Sequence, residues 1–290
     1  GAGAGSAAGP PAVTSPAMAA ASAVLVVGGW GSSCCDAVNG LQAALPGVPV
    51  RQFSYAGLDA KGRPIPSGAS ADDLPLPVLG DRIAAQANAL HAASGRPVAI
   101  VAESEGTLGV YAMLARDPGL HISSVVLLSP IVSPGQVTYP PGPDGGSASG
   151  AALDELNRLV GGMSPFGPSG AQNLLTSVSE FGARYFEDTV AAAGGGAGGK
   201  SIRWLGVVPL ADAVTLPACG LPTGVIVVPA LHGGLLGDPT VLPMVSDFLS
   251  GHDVTAAGDS TLREAAELIS DAAAAWRMPD TSSACPFPAG

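Results

Sequence analysis

Charged residues are scarce in this sequence, and basic residues are the scarcest. Of the 290 residues only 12% are charged, and 12 Lys and Arg stand against 23 Asp and Glu, for a formal net charge of −11. A surface that binds phosphate backbones or anionic lipids needs clustered Lys and Arg. The composition therefore excludes a nucleic-acid partner and argues against an anionic-membrane surface.

Residues that commonly bind metal ions are also few. The four cysteines form no CxxC pair and the four histidines lie far apart, so neither a metal nor another cofactor is expected. A bridge between the adjacent Cys34 and Cys35 is not expected, because it would strain the backbone. Two pairings remain, in which each of them bonds to Cys219 or Cys285, and the alternative is buried free thiols.

No uninterrupted apolar run approaches the length that spans a bilayer, so no transmembrane segment is expected. Residues 1–22 begin without Met, and GAGAGSAAGPPAVTSPA is typical of a flexible leader, so a signal peptide or anchor is expected to have been removed. With disulfide-bonded cysteines, such a leader favours a secreted or cell-envelope protein. Free cysteines would favour the cytoplasm.

Apolar residues make up 47% of the chain, which is enough for one large domain with a substantial core. Short apolar runs alternate with apolar residues at helical spacing. Such runs are typical of strands that are buried on both faces of a parallel sheet. The alternation predicts an α/β fold with a mostly parallel, doubly wound sheet over residues 23–251. The six runs are AVLVVGG, VPVRQFSYAG, RPVAIVAES, ISSVVLLSP, SIRWLGVV and TGVIVVPA.

Residues 130–200 interrupt the alternation. A Pro- and Gly-rich stretch precedes two predicted helices, which indicates a helical cap inserted over the sheet. Its apolar side chains, including Phe166 and Phe181, predict either a lid that offers substrate an apolar wall or a packed cap that does not move. Residues 252–290 are predicted to form a C-terminal helix and an irregular tail.

The segment VAIVAESEGTLGVYAMLAR places a serine in a tight turn between a strand and a helix. Ala102 and Gly106 are the small residues that a nucleophile elbow requires two positions before and after Ser104. Alanine replaces the first glycine of the usual G-x-S-x-G pattern. A serine that merely caps the helix is the alternative, but the strand-turn-helix context favours a nucleophile.

With this elbow the chain resembles the α/β-hydrolase family, in particular its bacterial lipase and esterase branch, over residues 23–251. The resemblance implies that Gly28-Gly29-Trp30-Gly31 occupies the place of the family's His-Gly-Phe-Gly type oxyanion turn. The N–H groups of Trp30 and Glu105 are then the expected oxyanion donors. A Gly-rich phosphate loop is the alternative, but no G-x-G-x-x-G or Walker pattern follows.

The family order of catalytic residues is Ser, then acid, then His, each after a strand. The resemblance therefore implies Asp212, after the fifth predicted strand, as the acid and His232, after the sixth, as the base. The alternatives are a loop-capping role for Asp212, with Asp238 nearby in sequence, and a core role for His232. The other three histidines are interpreted as surface residues.

The implied activity is hydrolysis of carboxylic esters through an acyl-enzyme on Ser104. Apolar acyl esters or lipids are the favoured substrates, and Trp30, Phe166 and Phe181 are expected to contact them. A thioesterase or an acyltransferase would use the same triad. A non-catalytic binding protein on this fold is the alternative from another class, since the fold alone does not decide function.

The side chain of Glu105 would carry a negative charge beside the oxyanion that its own N–H binds. At an effective dielectric constant of about 20, two unit charges ~6 Å apart repel by roughly 3 kcal/mol. Glu105 is therefore expected to be neutralised, either by a basic partner at a solvated site or by burial that keeps it protonated. The solvated pair is favoured because Asp and Glu are seldom buried unpaired.

Overall fold

The computed structural model describes residues 22–35, 39–68, 71–116, 120–131, 202–211, 221, 224–254 and 259–274. The predicted leader, the cap insertion with Phe166 and Phe181, and the irregular tail after residue 274 lie outside these residues, except for residues 22, 130 and 131. The strands are β1 (Ala23–Val27), β2 (Val50–Gln52), β3 (Val98–Glu103), β4 (Ile122–Leu128), β5 (Arg203–Ala211) and β6 (Val225–Leu231). The helices are α1 (Asn39–Ala44), α2 (Leu76–Ser94), α3 (Glu105–Arg116), α4 (Val241–Leu249) and α5 (Asp259–Ala274).

The six strands form one sheet in the order β2-β1-β3-β4-β5-β6, and every neighbouring pair is parallel. The predicted fold class is thus confirmed. The order reverses between β1 and β3, whose residues Val27 and Ala102 are paired in register. Ligands of open parallel sheets bind at the carboxyl ends of the strands beside such a reversal. The Gly28–Gly31 turn and the serine elbow both follow strands at this point.

Strands β1 and β3 are buried at every residue because helices cover both faces of the sheet. Successive side chains point to opposite faces, so each strand contributes to two core layers. Burying one Val, Leu or Ile side chain contributes about 1.5–3 kcal/mol to the stability of the fold. One layer contains Leu25, Ile100 and Leu127 of the sheet with Leu79, Ile83 and Leu108 of α2 and α3. The other contains Val26, Val101 and Val126 of the sheet with Leu41 and Val245 of α1 and α4.

Helix α5 packs on the last two strands. Ala266 is completely buried in the same core layer as α2 and α3. Arg263 donates a hydrogen bond from Nη2 to the Val225 carbonyl oxygen at 2.7 Å. Among the helices of the described ranges, none combines the length and the hydropathy needed to cross a membrane.

Cys34 and Cys35 are disulfide-bonded to each other. The expectation that these neighbours do not pair was therefore wrong. The peptide bond between them is cis, and their Cα atoms lie 3.1 Å apart. Cys219 and Cys285, the expected partners, lie outside the described residues.

Candidate active site

Ser104 lies where β3 ends and α3 begins, with φ at 52°. Few residues with a side chain adopt this left-handed conformation, and it is typical of a nucleophile elbow. The Ser104 N–H donates to the Leu128 carbonyl at 2.9 Å, and its carbonyl accepts the N–H of Thr107 at 2.9 Å and the hydroxyl of Thr107 at 2.6 Å. These hydrogen bonds hold the backbone of the turn on both sides of the serine.

Two glycines allow the elbow to approach the turn that follows β1. A Cβ atom on Gly106 would lie 2.9 Å from the carbonyl oxygen of Gly28, closer than real contacts allow. A Cβ atom on Gly29 would lie 3.0 Å from the Cβ of Ser104. The small residue that the elbow pattern requires at position 106 is therefore needed because the end of β1 passes beside it.

His232 directly follows β6, and its Nε2 lies 3.0 Å from Ser104 Oγ. This separation is within the hydrogen-bond reach that a nucleophile and its base require. The Ser104 hydroxyl is thus engaged with an imidazole. Two other histidines, His91 and His121, stack on each other with ring centroids 4.0 Å apart, where α2 ends and β4 is about to begin. They therefore lie at the amino ends of the strands, whereas Ser104 lies at the carboxyl ends.

Glu103 connects the nucleophile strand to the loop after His232. Its Oε1 accepts the Leu235 N–H at 2.7 Å, and the N–H groups of Gly234 and Leu236 also donate to this carboxylate. The side chain is only 7% exposed. Burial raises the Glu103 pKa, while the backbone amides and the nearby His232 oppose that rise.

The contact between Ser104 and His232 joins segments that follow two strands that are not neighbours in the sheet, β3 and β6. Two strands, β4 and β5, separate β3 from β6 in the sheet, so the loop after β6 reaches back past both to bring His232 to Ser104. The Glu103 carboxylate holds the returning part of that loop. This role of Glu103 was not predicted from the sequence, in which its position directly before Ser104 is the one signal for it.

The Gly28–Gly31 turn lies against the serine. It is closed by a hydrogen bond from the Ser32 N–H to the Gly29 carbonyl at 3.1 Å. Trp30, a predicted oxyanion donor, sits in this turn with a 37% exposed side chain. Glu105, the other predicted donor, is the first residue of α3, and the amides of a first helical turn have no acceptor within the helix. Both predicted donors thus belong to segments that adjoin Ser104.

Buried side chains hold both ends of this turn. The Tyr55 hydroxyl donates to the Gly28 carbonyl at 2.6 Å, and the Gly31 N–H donates to Asp72 Oδ2. Tyr55 is 2% exposed and Asp72 is 1% exposed. Burial raises the pKa of Asp72 to about 6, although the Gly31 amide opposes the rise.

The Glu105 side chain is buried, with 1% of its surface exposed. Neither carboxyl oxygen has a hydrogen-bond partner among the described residues. Burial raises the Glu105 pKa well above its usual value, and the nearby Asp72 and Asp73 raise it further. The favoured expectation of a solvated Glu105 with a basic partner was therefore wrong, and the alternative of a carboxyl kept protonated by burial agrees with the structure.

A pocket of about 330 Å³ lies over the serine. Trp30, one of the predicted substrate contacts, lines the pocket, whereas the other two, Phe166 and Phe181, lie outside the described residues. The wall next to Ser104 combines the Gly28–Gly31 turn and the two glycines after His232, Gly233 and Gly234, with polar and apolar side chains. These side chains include Trp30, Gln52, Glu103, His232 and Leu236.

The predicted acid, Asp212, immediately follows the last residue of β5 and lies outside the described residues. Asp238, the aspartate that was weighed against Asp212, accepts hydrogen bonds at the start of α4. Its Oδ1 accepts the Thr240 N–H at 2.7 Å and the Thr240 hydroxyl at 2.6 Å. These two hydrogen bonds hold the Asp238 pKa below its usual value. Asp238 is thus a helix-capping residue.

No protein-family model and no curated protein matches the chain. Among solved structures, MGS-M2, an α/β-hydrolase enzyme from a Medee basin deep-sea metagenome library, aligns with a TM-score of 0.50 at 10% identity, over 84% of this chain and 94% of that one. The esterase RhEst1 from Rhodococcus sp. ECU1013 aligns with a TM-score of 0.43 at 17% identity, over 81% and 92% of the two chains. A Paleococcus ferrophilus monoacylglycerol lipase aligns with a TM-score of 0.46 at 15% identity, over 79% and 94%.

Proposed function

We propose that this chain, which has the α/β-hydrolase fold, is a serine hydrolase that cleaves carboxylic esters through an acyl-enzyme on Ser104. The observation that carries the proposal is the 3.0 Å contact between Ser104 Oγ and His232 Nε2. The fold by itself does not define an activity. A serine that lies in a left-handed strand-to-helix turn and is hydrogen-bonded to an imidazole is, however, the arrangement that acyl transfer uses.

In the first step, Ser104 Oγ attacks the ester carbonyl carbon while His232 Nε2 takes the hydroxyl proton. The carbonyl oxygen becomes an oxyanion, to which the N–H groups of Trp30 and Glu105 donate. Loss of one such donor typically costs about 2.7–4 kcal/mol of transition-state stabilisation. An uncharged Glu105 side chain adds no repulsion to this developing charge.

In the second step, the tetrahedral intermediate collapses, and His232 returns the proton to the departing alcohol. Water then attacks the acyl-enzyme by the same route and releases the acid. We assign Asp212 as the group that holds the imidazole tautomer and stabilises the imidazolium. Its position directly after β5 supports this role, as does the capping role of Asp238.

The substrates that we propose are esters with an apolar acyl group. Support comes from Trp30 and Leu236 in the pocket wall and from Leu231, which directly precedes His232 and is 70% exposed. Apolar side chains beside a reactive serine favour an acyl chain over a charged group. Phe166 and Phe181 in the cap segment are proposed as further contacts.

Labelling with a fluorophosphonate probe tests the nucleophile. The probe should modify the wild-type protein at Ser104, and Ser104→Ala should lose both labelling and ester hydrolysis. Ser33→Ala, which alters an exposed serine after the Gly28–Gly31 turn, is the matched control and should keep both. A wild-type protein that is not labelled would contradict the proposal and favour a binding protein.

The substrate class is tested with p-nitrophenyl esters of increasing acyl length beside acyl thioesters of the same lengths. Esters should be turned over with a kcat/KM that rises with acyl length, because longer chains bury more apolar surface. A kcat/KM at least tenfold higher for the thioesters would identify a thioesterase instead.

A further inference from the structure

The turn that carries Trp30 is fastened by two side chains that the triad chemistry does not use. Three of its four residues are glycines, so its backbone loses much conformational freedom when it is fixed. Tyr55 holds the carbonyl at its first residue, and Asp72 holds the N–H at its last. Both come from segments remote in sequence, and both are buried.

The surroundings of Asp72 determine where the negative charge lies. The groups that face it are the Gly31 N–H, Asp73, and Tyr55 and Glu105 from neighbouring elements. Neither Asp72 nor Glu105 forms a salt bridge with a basic side chain in the described part of the chain. Glu105 has no donor there, whereas Asp72 accepts a backbone amide, so the ionised carboxylate is more stable on Asp72.

We propose that Asp72 and Tyr55 are positioning residues for acyl transfer, which hold the Gly28–Gly31 turn so that the Trp30 N–H faces the oxyanion. The carboxylate that fastens the turn belongs to Asp72, and Glu105 remains uncharged beside it. This inference rests on the proposed function. Oxyanion donors act because they are fixed before the reaction, and a misplacement of about 1 Å can cost on the order of 10²-fold in rate.

Variants of Asp72 separate a positioning role from a merely structural one. Asp72→Ala removes the acceptor and should lower kcat tenfold or more with little change in KM, because the oxyanion is bound in the transition state alone. Asp72→Asn keeps an acceptor for the Gly31 N–H and should restore kcat to within about threefold. Asp81→Ala, which removes an exposed carboxylate on α2, is the matched control and should leave kcat unchanged.

Each kcat is divided by the number of sites that a fluorophosphonate labels at completion, so that misfolded protein does not count. If Asp72→Ala has the wild-type kcat per labelled site, the proposal is overturned, because the variant has then lost folded protein and not positioning. Tyr55→Phe gives an independent test, since it removes the hydroxyl and keeps the packed ring. It should lower kcat per labelled site about tenfold, and an unchanged value would remove Tyr55 from the proposal.

The Gly31 amide supplies a readout that needs no catalysis. In the ¹⁵N-labelled wild-type protein its proton shift should change with a midpoint near pH 6 as Asp72 ionises, and in Asp72→Asn it should not. A wild-type Gly31 shift that does not change between pH 4 and 8 would overturn the role of Asp72. Absence of fluorophosphonate labelling would instead refute the proposed function, and the Gly31 titration would still test whether Asp72 holds the turn.

Discussion

Glu103 Oε1 accepts the Leu235 N–H at 2.7 Å, although 132 residues separate the two in the sequence. One residue precedes the nucleophile, and the other follows the proposed base by three positions. The hydrogen bond therefore joins the elbow and the histidine loop into one unit. If this hydrogen bond were removed, the histidine loop would lose a buried, charge-assisted contact with β3.

Replacement of Glu103 should therefore affect both stability and rate. Glu103→Ala should lower the free energy of unfolding by about 1–3 kcal/mol, because buried amides lose their acceptor. It should also lower kcat about tenfold or more through displacement of His232. Glu103→Gln keeps an acceptor oxygen and should stay closer to wild type in both. Denaturant unfolding and kcat per labelled site measure the two effects.

Glu264→Ala, on an exposed part of α5, is the control for Glu103→Ala and should change neither quantity. A Glu103→Ala protein that is less stable but has an unchanged kcat per labelled site would show that the contact supports the fold without positioning the base.

The assignment of the acid predicts a contrast between two aspartates. Asp212→Asn should lower kcat by about 10⁴-fold, as loss of a triad carboxylate does elsewhere. Asp238→Asn should leave kcat nearly unchanged, because asparagine also caps helices well. Steady-state kinetics of both variants decide the matter. A slow Asp238→Asn enzyme with a normal Asp212→Asn enzyme would reverse the assignment.

The protonated state of Glu105 predicts a small effect of an uncharged substitute. Glu105→Gln keeps the backbone N–H and the size of the side chain, so kcat/KM at pH 7 should change by less than about tenfold. A much larger gain would reveal an ionised carboxylate that opposes the oxyanion in the wild type. A much larger loss would give the side chain a direct part in catalysis or substrate binding.

The raised pKa of Asp72 predicts that the free energy of unfolding depends on pH, with a definite sign. Its pKa rises from 3.8 to about 6 on folding, so the folded protein binds more protons and loses stability as the pH rises through this window. The difference corresponds to at most about 3 kcal/mol. Denaturant unfolding from pH 4 to 8 should show a smaller decline in Asp72→Asn than in the wild type. Equal declines would contradict the assigned titration.

The close contact at Gly29 predicts a selective loss of activity. A Cβ atom at this position would lie 3.0 Å from Ser104 Cβ, so Gly29→Ala should push the turn away from the nucleophile and lower kcat by about 10²-fold. At Gly68 a Cβ atom meets nothing within 4 Å, and Gly68→Ala should behave as wild type. Wild-type kcat in Gly29→Ala would show that the turn tolerates displacement.

The sheet and the serine elbow were predictable because both depend on local sequence patterns. Each buried strand is a continuous apolar run, and the elbow combines such a run with small residues and a helical pattern. The choice of His232 as the base followed from the residue order of the family that the chain resembles, applied to the sixth predicted strand. These features need no knowledge of which distant residues meet.

The errors concern contacts that no local pattern specifies. Glu105 is buried, and its pKa is raised further by Asp72, which precedes it by more than thirty positions, so the sequence around the serine gives no sign of its protonation. The Glu103 contact likewise depends on the returning histidine loop. The bond between Cys34 and Cys35 was missed because a bridge between sequence neighbours was excluded on the ground of backbone strain.

The separation of Ser104 from His232 by 128 residues bears on biosynthesis. A growing chain exposes its nucleophile when β3 and α3 can form, long before the ribosome has made β6 and the residues that follow it. Until then the serine has no base and remains an ordinary alcohol. Under the proposed mechanism acyl transfer requires that β6 has joined the sheet, so the chain would be inactive toward surrounding esters while it is still being assembled.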